Sequence, residues 1–160
     1  MNLRSYLNKE LTGKSDENLE LISIICSIAD STVDIAMDTR VTGLKQIRGS
    51  TNEINVQGEE VQMLDQIANQ SLIDSLSKNS SCAGYASEEL VEPLIFNQSA
   101  RFMVVADPLD GSSNISVNMP IGTIFGIIRN TDYGVSSFNK SGRYYICLLY
   151  TSPSPRDLST

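Results

Sequence analysis

Residues 101–114 read Arg101-Phe-Met-Val-Val-Ala-Asp-Pro-Leu-Asp-Gly-Ser-Ser-Asn114. After the arginine the first part is apolar throughout, as in a strand buried on both faces. The last eight residues are turn-formers: Asp-Pro, Asp-Gly and Ser-Ser-Asn. Pro108 fixes its own φ near about −65° and makes Asp107 extended, so the turn is stiff. Gly111 lets the backbone approach a ligand closely. Asp107 and Asp110 can meet at one cation, and Ser112 and Ser113 can open a short helix whose free N–H groups face an anion. A phosphate held by those N–H groups would then lie beside a metal held by the two aspartates. The same octapeptide also suits an ordinary surface turn, and taken alone it does not choose between the two.

Upstream, residues 82–87 (Cys-Ala-Gly-Tyr-Ala-Ser) predict a short strand ending at Glu88-Glu89. Adjacent carboxylates within a strand point to opposite faces, but at its terminus the chain can bend so that both reach a metal. The alternative is a solvated charge pair. Downstream, residues 121–128 (Ile-Gly-Thr-Ile-Phe-Gly-Ile-Ile) predict a third strand. Four carboxylates, Glu88, Glu89, Asp107 and Asp110, thus stand at the ends of two strands. Two metals ~3.5–4 Å apart stabilise the attacking and leaving oxygens of phosphoryl transfer, and this carboxylate set suits such a site. With no histidine in the chain, magnesium or manganese fits better than zinc.

Residues 16–39 predict an amphipathic helix, with Leu19, Ile22, Cys26, Ala29, Val33 and Ala36 as its apolar face, Ser15 as N-cap and Asp16 and Glu17 at the positive end of the dipole. Periodicity is lost over 40–58, where Gly43, Gly49 and Gly58 flank the polar string Ser50-Thr-Asn-Glu53. A connection that long is expected to be functional or mobile. A second helix is predicted over 59–79 on the stripe Val61, Leu64, Ala68, Leu72 and Leu76. Asp65 lies beside that stripe, either leaning into solvent or held by a partner. Two helices followed by three strands, without βαβ alternation, predict an α+β fold with helices layered on one face of a mixed sheet.

Composition narrows the function classes. The 160 residues suit one domain, and no apolar run is long enough for a membrane span. The first twenty residues carry no apolar core of a secretory signal, so none is expected. The absence of histidine excludes Ser-His-Asp and Cys-His catalysis within the chain. Nineteen acidic against twelve basic residues, a formal charge of −7, leave no basic stripe for nucleic acid. Cys26, Cys82 and Cys147 show no paired spacing, which predicts a reducing compartment, and Cys26 on the helical face is expected to be packing. Residues 147–157, CLLYTSPSPRD, match the in-frame translation of a transposon-type sequencing adapter. Residues 1–146 are therefore expected to be native and 147–160 a non-native tail; the alternative is a Ser/Pro-rich terminus.

ADPLDGSSNI at 106–115, IGTIFGI at 121–127 and ASEE at 86–89 closely resemble class I fructose-1,6-bisphosphatases. The looser D-P-x-D-G-[ST] core belongs to the wider sugar and inositol phosphatase superfamily. INVQGEEVQMLDQIANQSL at 54–72 is similar to the segment joining that family's mobile loop to a helix, in its bacterial form. The resemblance covers about Glu17 to Asn130 and implies a truncated sugar-phosphatase fold, the N-terminal half alone. Carried over by position, it implies metal binding by Glu88, Glu89, Asp107, Asp110 and the backbone carbonyl of Leu109. It implies 1-phosphate binding around Asp110, Gly111, Ser112 and Ser113. Asp65 matches the carboxylate that positions or deprotonates the attacking water, and Glu59 a second acidic residue of the mobile loop.

The implied cofactor is Mg2+, with Mn2+ possible, and the implied reaction is hydrolysis of fructose 1,6-bisphosphate to fructose 6-phosphate and phosphate in cytoplasmic gluconeogenesis. A homotetramer is implied, with no nucleic-acid or membrane partner. Sedoheptulose bisphosphatase, inositol phosphatase and a non-catalytic metal-binding remnant are the alternatives. Ser116 and Met119-Pro120 depart from the family pattern, and the N-terminal helix lacks a clear match to its AMP-binding residues. The family is about twice this length, and its sugar and 6-phosphate pockets lie in the other half, so the fragment is expected to be inactive alone.

Overall fold

The computed structural model describes residues 1–11, 15–45, 50–54, 60–112 and 120–130. Glu59, Ser113, Ser116, Met119 and the expected tail at 147–160 lie outside the described residues.

A short helix that periodicity did not reveal comes first. The Asn2 side chain accepts the Ser5 N–H at 2.9 Å and so caps α1, Leu3–Glu10, which buries none of its residues. The next helix, α2, is Asp16–Lys45, and it starts as expected, with Ser15 Oγ accepting the Asn18 N–H at 3.2 Å. It runs past residue 39, and its buried face differs from the expected one. Ile22 and Cys26 are buried, but Leu19 is 48% and Val33 54% exposed, while Ile24, Ile28, Ser31 and Ile35 line the core. Ser31 disguises that stripe. Its hydroxyl donates to the Ser27 carbonyl at 3.1 Å and reaches the Ser71 carbonyl at 3.4 Å, so a polar residue sits in the core with its hydrogen bonds met.

The connection expected over 40–58 holds regular structure. The last turns of α2 fall there, and so does β1, Ser50–Ile54, which pairs antiparallel with β2, Glu60–Gln62. That pairing delays the following helix, α3, to Met63–Ser77, so Val61 belongs to β2. Leu64, Ala68, Leu72 and Leu76 are buried along α3 as the spacing predicts. A seam of small polar side chains joins the helices: Ser75 Oγ donates to the Ser27 carbonyl at 3.1 Å, and Asn79 Nδ2 donates to Ser23 Oγ at 3.2 Å and Ser27 Oγ at 2.9 Å.

Under the helices lies a four-stranded mixed sheet in the order β4-β3-β5-β6, formed by β3, Cys82–Ser87, β4, Leu94–Ile95, β5, Phe102–Asp110, and β6, Gly122–Arg129. Strand β3 runs parallel to β5 and antiparallel to β4, and β5 runs antiparallel to β6. Ile24, Ile28, Leu72 and Leu76 of the helices pack on Cys82, Tyr85, Phe102, Val104 and Ala106 of the sheet. On the other face Ala83, Ala86, Met103 and Val105 form a second cluster, so β5 is buried on both sides as its apolar run predicts. The α+β fold with helices layered on one face of a mixed sheet is the observed one.

One difference matters for the site. Asp107-Pro-Leu-Asp110, expected as a turn, is the end of β5. Asp107 pairs with Ile124 but Asp110 with Gly122, so β5 carries one extra residue at a bulge. Pro108, which has no N–H to give the ladder, is fully buried within it. Side chains replace the broken ladder bonds: Asp107 Oδ1 accepts the Leu109 N–H at 3.1 Å, and Thr123 Oγ1 donates to the Pro108 carbonyl at 2.8 Å. The turn begins only at Gly111, whose φ of 79° is left-handed backbone that glycine adopts without strain.

Candidate active site

Parallel pairing brings the two acidic strand ends together. Ser87 lies opposite Ala106, and the Glu88 N–H donates to the Ala106 carbonyl at 3.2 Å, so Glu88, just past the end of β3, stands beside Asp107 of β5. The chain then bends as the Glu-Glu pair requires. Ser87 Oγ accepts the Glu89 N–H at 3.2 Å, and the Ser87 carbonyl accepts the Leu90 N–H at 3.1 Å. Glu88 is 8% and Asp107 6% exposed, far less than a solvated charge pair would be, while Glu89 and Asp110 are part-buried.

Leu109 brings the helix layer to this end of the sheet. Its side chain is buried in a third cluster with Ile35 of α2 and Leu64 and Ala68 of α3. That peg holds the end of β5 against the first turn of α3, where Asp65 stands 5% exposed. An acidic residue in that turn suits the positive end of the helix. Asp65 does not lean into solvent; it is one of three buried carboxylates on the elements that meet here. Asp65, Glu88, Glu89, Asp107 and Asp110 all take part in hydrogen-bonding or electrostatic contacts. Gly111 and Ser112 follow Asp110 directly and are part-buried.

The pattern of residues did not reveal Tyr85 and Asn69. Tyr85 is fully buried, and its hydroxyl donates to Asn69 Oδ1 at 3.1 Å. Burial pushes the phenol well above its usual range; a hydrogen bond with Ser87 works against that, and the Asp107 and Glu89 carboxylates push it further up. The two carboxylates therefore act on the same buried hydroxyl. The one visible signal was Asn69 standing four residues after Asp65, beside an apolar stripe.

Among the described residues no three His, Cys, Asp or Glu side chains converge closely enough to form a ready metal cluster. The donor chemistry nonetheless fits a hard cation: oxygen ligands only, largely withdrawn from water, at the ends of two adjacent strands. Arg101 and Arg129 are at the opposite end of the sheet, paired with Glu20 at 3.0 Å and Glu17 at 2.6 Å. Among the described residues no helix is long and apolar enough to cross a membrane.

Helices on a mixed sheet, with acidic strand ends and a glycine turn at one edge, make up the sugar-bisphosphatase fold. The holo fructose-1,6-bisphosphatase of Leishmania major superposes with a TM-score of 0.73 at 27% identity, over 81% of this chain and 39% of that one. A candidate sedoheptulose-1,7-bisphosphatase of Toxoplasma gondii gives a TM-score of 0.66 at 27% identity, over 81% and 37%. The family model for the fructose-1,6-bisphosphatase N-terminal domain matches residues 4–151, and the chain belongs to that family. A class 1 fructose-1,6-bisphosphatase of Sulfurihydrogenibium sp. is 38% identical, over 100% of this chain and 51% of its own length. Another, of Psychrobacter sp., is 41% identical over 79% of this chain and 38% of its own. The chain thus spans about half or less of the length of these relatives.

Proposed function

We propose that this chain is the metal- and 1-phosphate-holding half of a class I fructose-1,6-bisphosphatase, which hydrolyses fructose 1,6-bisphosphate to fructose 6-phosphate and phosphate. The observation that carries the reading is the burial of Glu88 and Asp107, side by side at the ends of parallel strands, with Asp65 on the helix pegged to the same place by Leu109. Glu88, Glu89, Asp107, Asp110 and the Leu109 carbonyl would hold magnesium or manganese, which supplies positive charge to the phosphoryl oxygens and acidifies the attacking water. Asp65, with Glu59, orients that water and takes its proton. The N–H groups after Asp110, at Gly111, Ser112 and Ser113, hold the 1-phosphate in line. The second phosphate and the sugar are left to the other half of the protein, which also governs assembly as a homotetramer. Residues 147–160 are read as non-native, and the enzyme as a cytoplasmic one of gluconeogenesis.

The likeness to a candidate sedoheptulose bisphosphatase supports a second reading, a related enzyme with a longer sugar. A substrate panel on the protein of the continuous reading frame separates the two, with fructose 1,6-bisphosphate, sedoheptulose 1,7-bisphosphate and inositol monophosphate assayed in magnesium. Hydrolysis of the first at the highest kcat/KM is expected. Asp110→Asn keeps the shape of the side chain but removes its charge, so it should abolish that hydrolysis with the circular dichroism unchanged. More than about a tenth of the turnover remaining would overturn the role of Asp110, since ligands of this kind usually matter by far more.

A further inference from the structure

Asn69 and Asp65 lie one turn apart on one face of α3, both buried against the sheet. A buried amide is costly unless its hydrogen bonds are met, and Asn69 accepts one from the Tyr85 hydroxyl at 3.1 Å. Tyr85 belongs to β3, two residues before Ser87, whose hydroxyl accepts the Glu89 N–H at 3.2 Å. The Tyr85–Asn69 bond therefore ties the helix of Asp65 to β3, two residues before the serine that anchors the turn carrying Glu89. Packing alone does not call for it, because phenylalanine would fill nearly the same volume without needing an acceptor. Leu109 pegs α3 to β5; the Tyr85–Asn69 bond fastens it to β3. The helix is thus held separately to each of the two strands that end in carboxylates.

We propose that Tyr85 and Asn69 are a positioning pair, whose hydrogen bond holds Asp65 at a fixed place relative to Glu88, Glu89 and Asp107. The pair touches neither substrate nor metal and acts through the carboxylates. The inference rests on the phosphatase reading above.

The test uses the protein of the continuous reading frame and its Tyr85→Phe, Asn69→Leu and double variants. Each is followed by hydrolysis of fructose 1,6-bisphosphate, by Mn2+ binding read from the electron paramagnetic resonance of the free ion, and by thermal unfolding. Either single variant should lower kcat about ten- to a hundredfold and weaken Mn2+ binding about tenfold, as loss of a group that orients metal ligands does. KM should stay within about threefold, because the substrate contacts are untouched. The double variant should be no worse than the poorer single one, since the two residues act as a unit. If Tyr85→Phe does not fold, Asn69→Leu carries the same expectations. A lowered unfolding midpoint with kcat and Mn2+ binding near wild type would overturn the proposal, leaving the bond a stabilising one only. Asp110→Asn, run alongside, tells the two failures apart. Loss of hydrolysis in Asp110→Asn but not in Tyr85→Phe defeats the positioning pair alone; full hydrolysis in Asp110→Asn defeats the role of Asp110, and absence of hydrolysis in the unsubstituted protein defeats the phosphatase reading and this inference with it.

Discussion

Gly84 has no room for a side chain: a Cβ there would stand 2.7 Å from the Leu94 carbonyl oxygen, so β4 closes on β3 only because this residue is glycine. Gly84→Ala must push that backbone away, and we expect a loss of about 1–3 kcal/mol of stability, read as a shift of the urea midpoint at constant m. Cys82, two residues earlier, sets a pH dependence. Burial pushes its thiol up to about 11, against a partial lowering by its hydrogen bond to the Gly84 carbonyl. The folded form then keeps a proton that the unfolded form releases first. The stabilisation is fully present below the unfolded thiol's pKa and disappears as pH rises towards 11, at about 1.4 kcal/mol per pH unit at most. Unfolding free energy measured between pH 9 and 10 should therefore fall with pH, and Cys82→Ala should flatten that slope. At this scale the sequence was legible where chemistry repeats a pattern and opaque where one side chain answers another. Asp107, Asp110, Glu88 and Glu89 stood out as acidic punctuation at strand ends. Tyr85 lies unmarked within the predicted strand, because nothing in a strand pattern announces an amide waiting on a helix.

Between elements, hydroxyls and an amide add hydrogen bonds across the α2–α3 seam to the apolar contacts of Ile24, Ile28 and Ile35 with Leu64, Ala68, Leu72 and Leu76. Asn79 gives two hydrogen bonds across it, to Ser23 and Ser27, whereas Ser31 points at carbonyls already bonded within a helix. Asn79→Ala should therefore cost more, about 1–2 kcal/mol, than Ser31→Ala, below about 1 kcal/mol, in matched denaturant titrations. The same seam explains why the spacing marks the buried face of α3 fully and that of α2, a helix it does predict, only in part. Leu64, Ala68, Leu72 and Leu76 present an unbroken apolar stripe, but Ser31 interrupts the one formed by Ile24, Ile28 and Ile35, and the more continuous run through Leu19 and Val33 faces outward. Strands followed a similar rule. β3 was found at its observed bounds, Cys82–Ser87, because it is apolar and closed by glutamates, whereas the two residues of β4 and the polar β1 carry no alternation to read. The residues of Asp107-Pro-Leu-Asp110 favour a turn, yet the bulge lets them finish a strand.

For the whole molecule, the carboxylates lie at one end of the sheet and the paired arginines Arg101 and Arg129 at the other, and in the proposed reading the second phosphate is gripped by the other half of the protein. Binding energy at a remote phosphate helps align the reacting one. The 160-residue chain alone should thus show no measurable hydrolysis of fructose 1,6-bisphosphate, and the continuous reading frame should show it in the same assay. Equal rates for the two proteins would refute the division of labour between the halves. The order of strands also sets a schedule for synthesis. The central strand β5 is flanked by β3, made before it, and by β6, made after it. A chain leaving the ribosome can dock β5 on β3 and on the finished helices early, but the other backbone edge of β5, along Phe102–Asp107, waits until Gly122–Arg129 has emerged. During that interval the nascent protein displays a row of unmatched amides on its most water-averse strand, and chaperone capture should concentrate there.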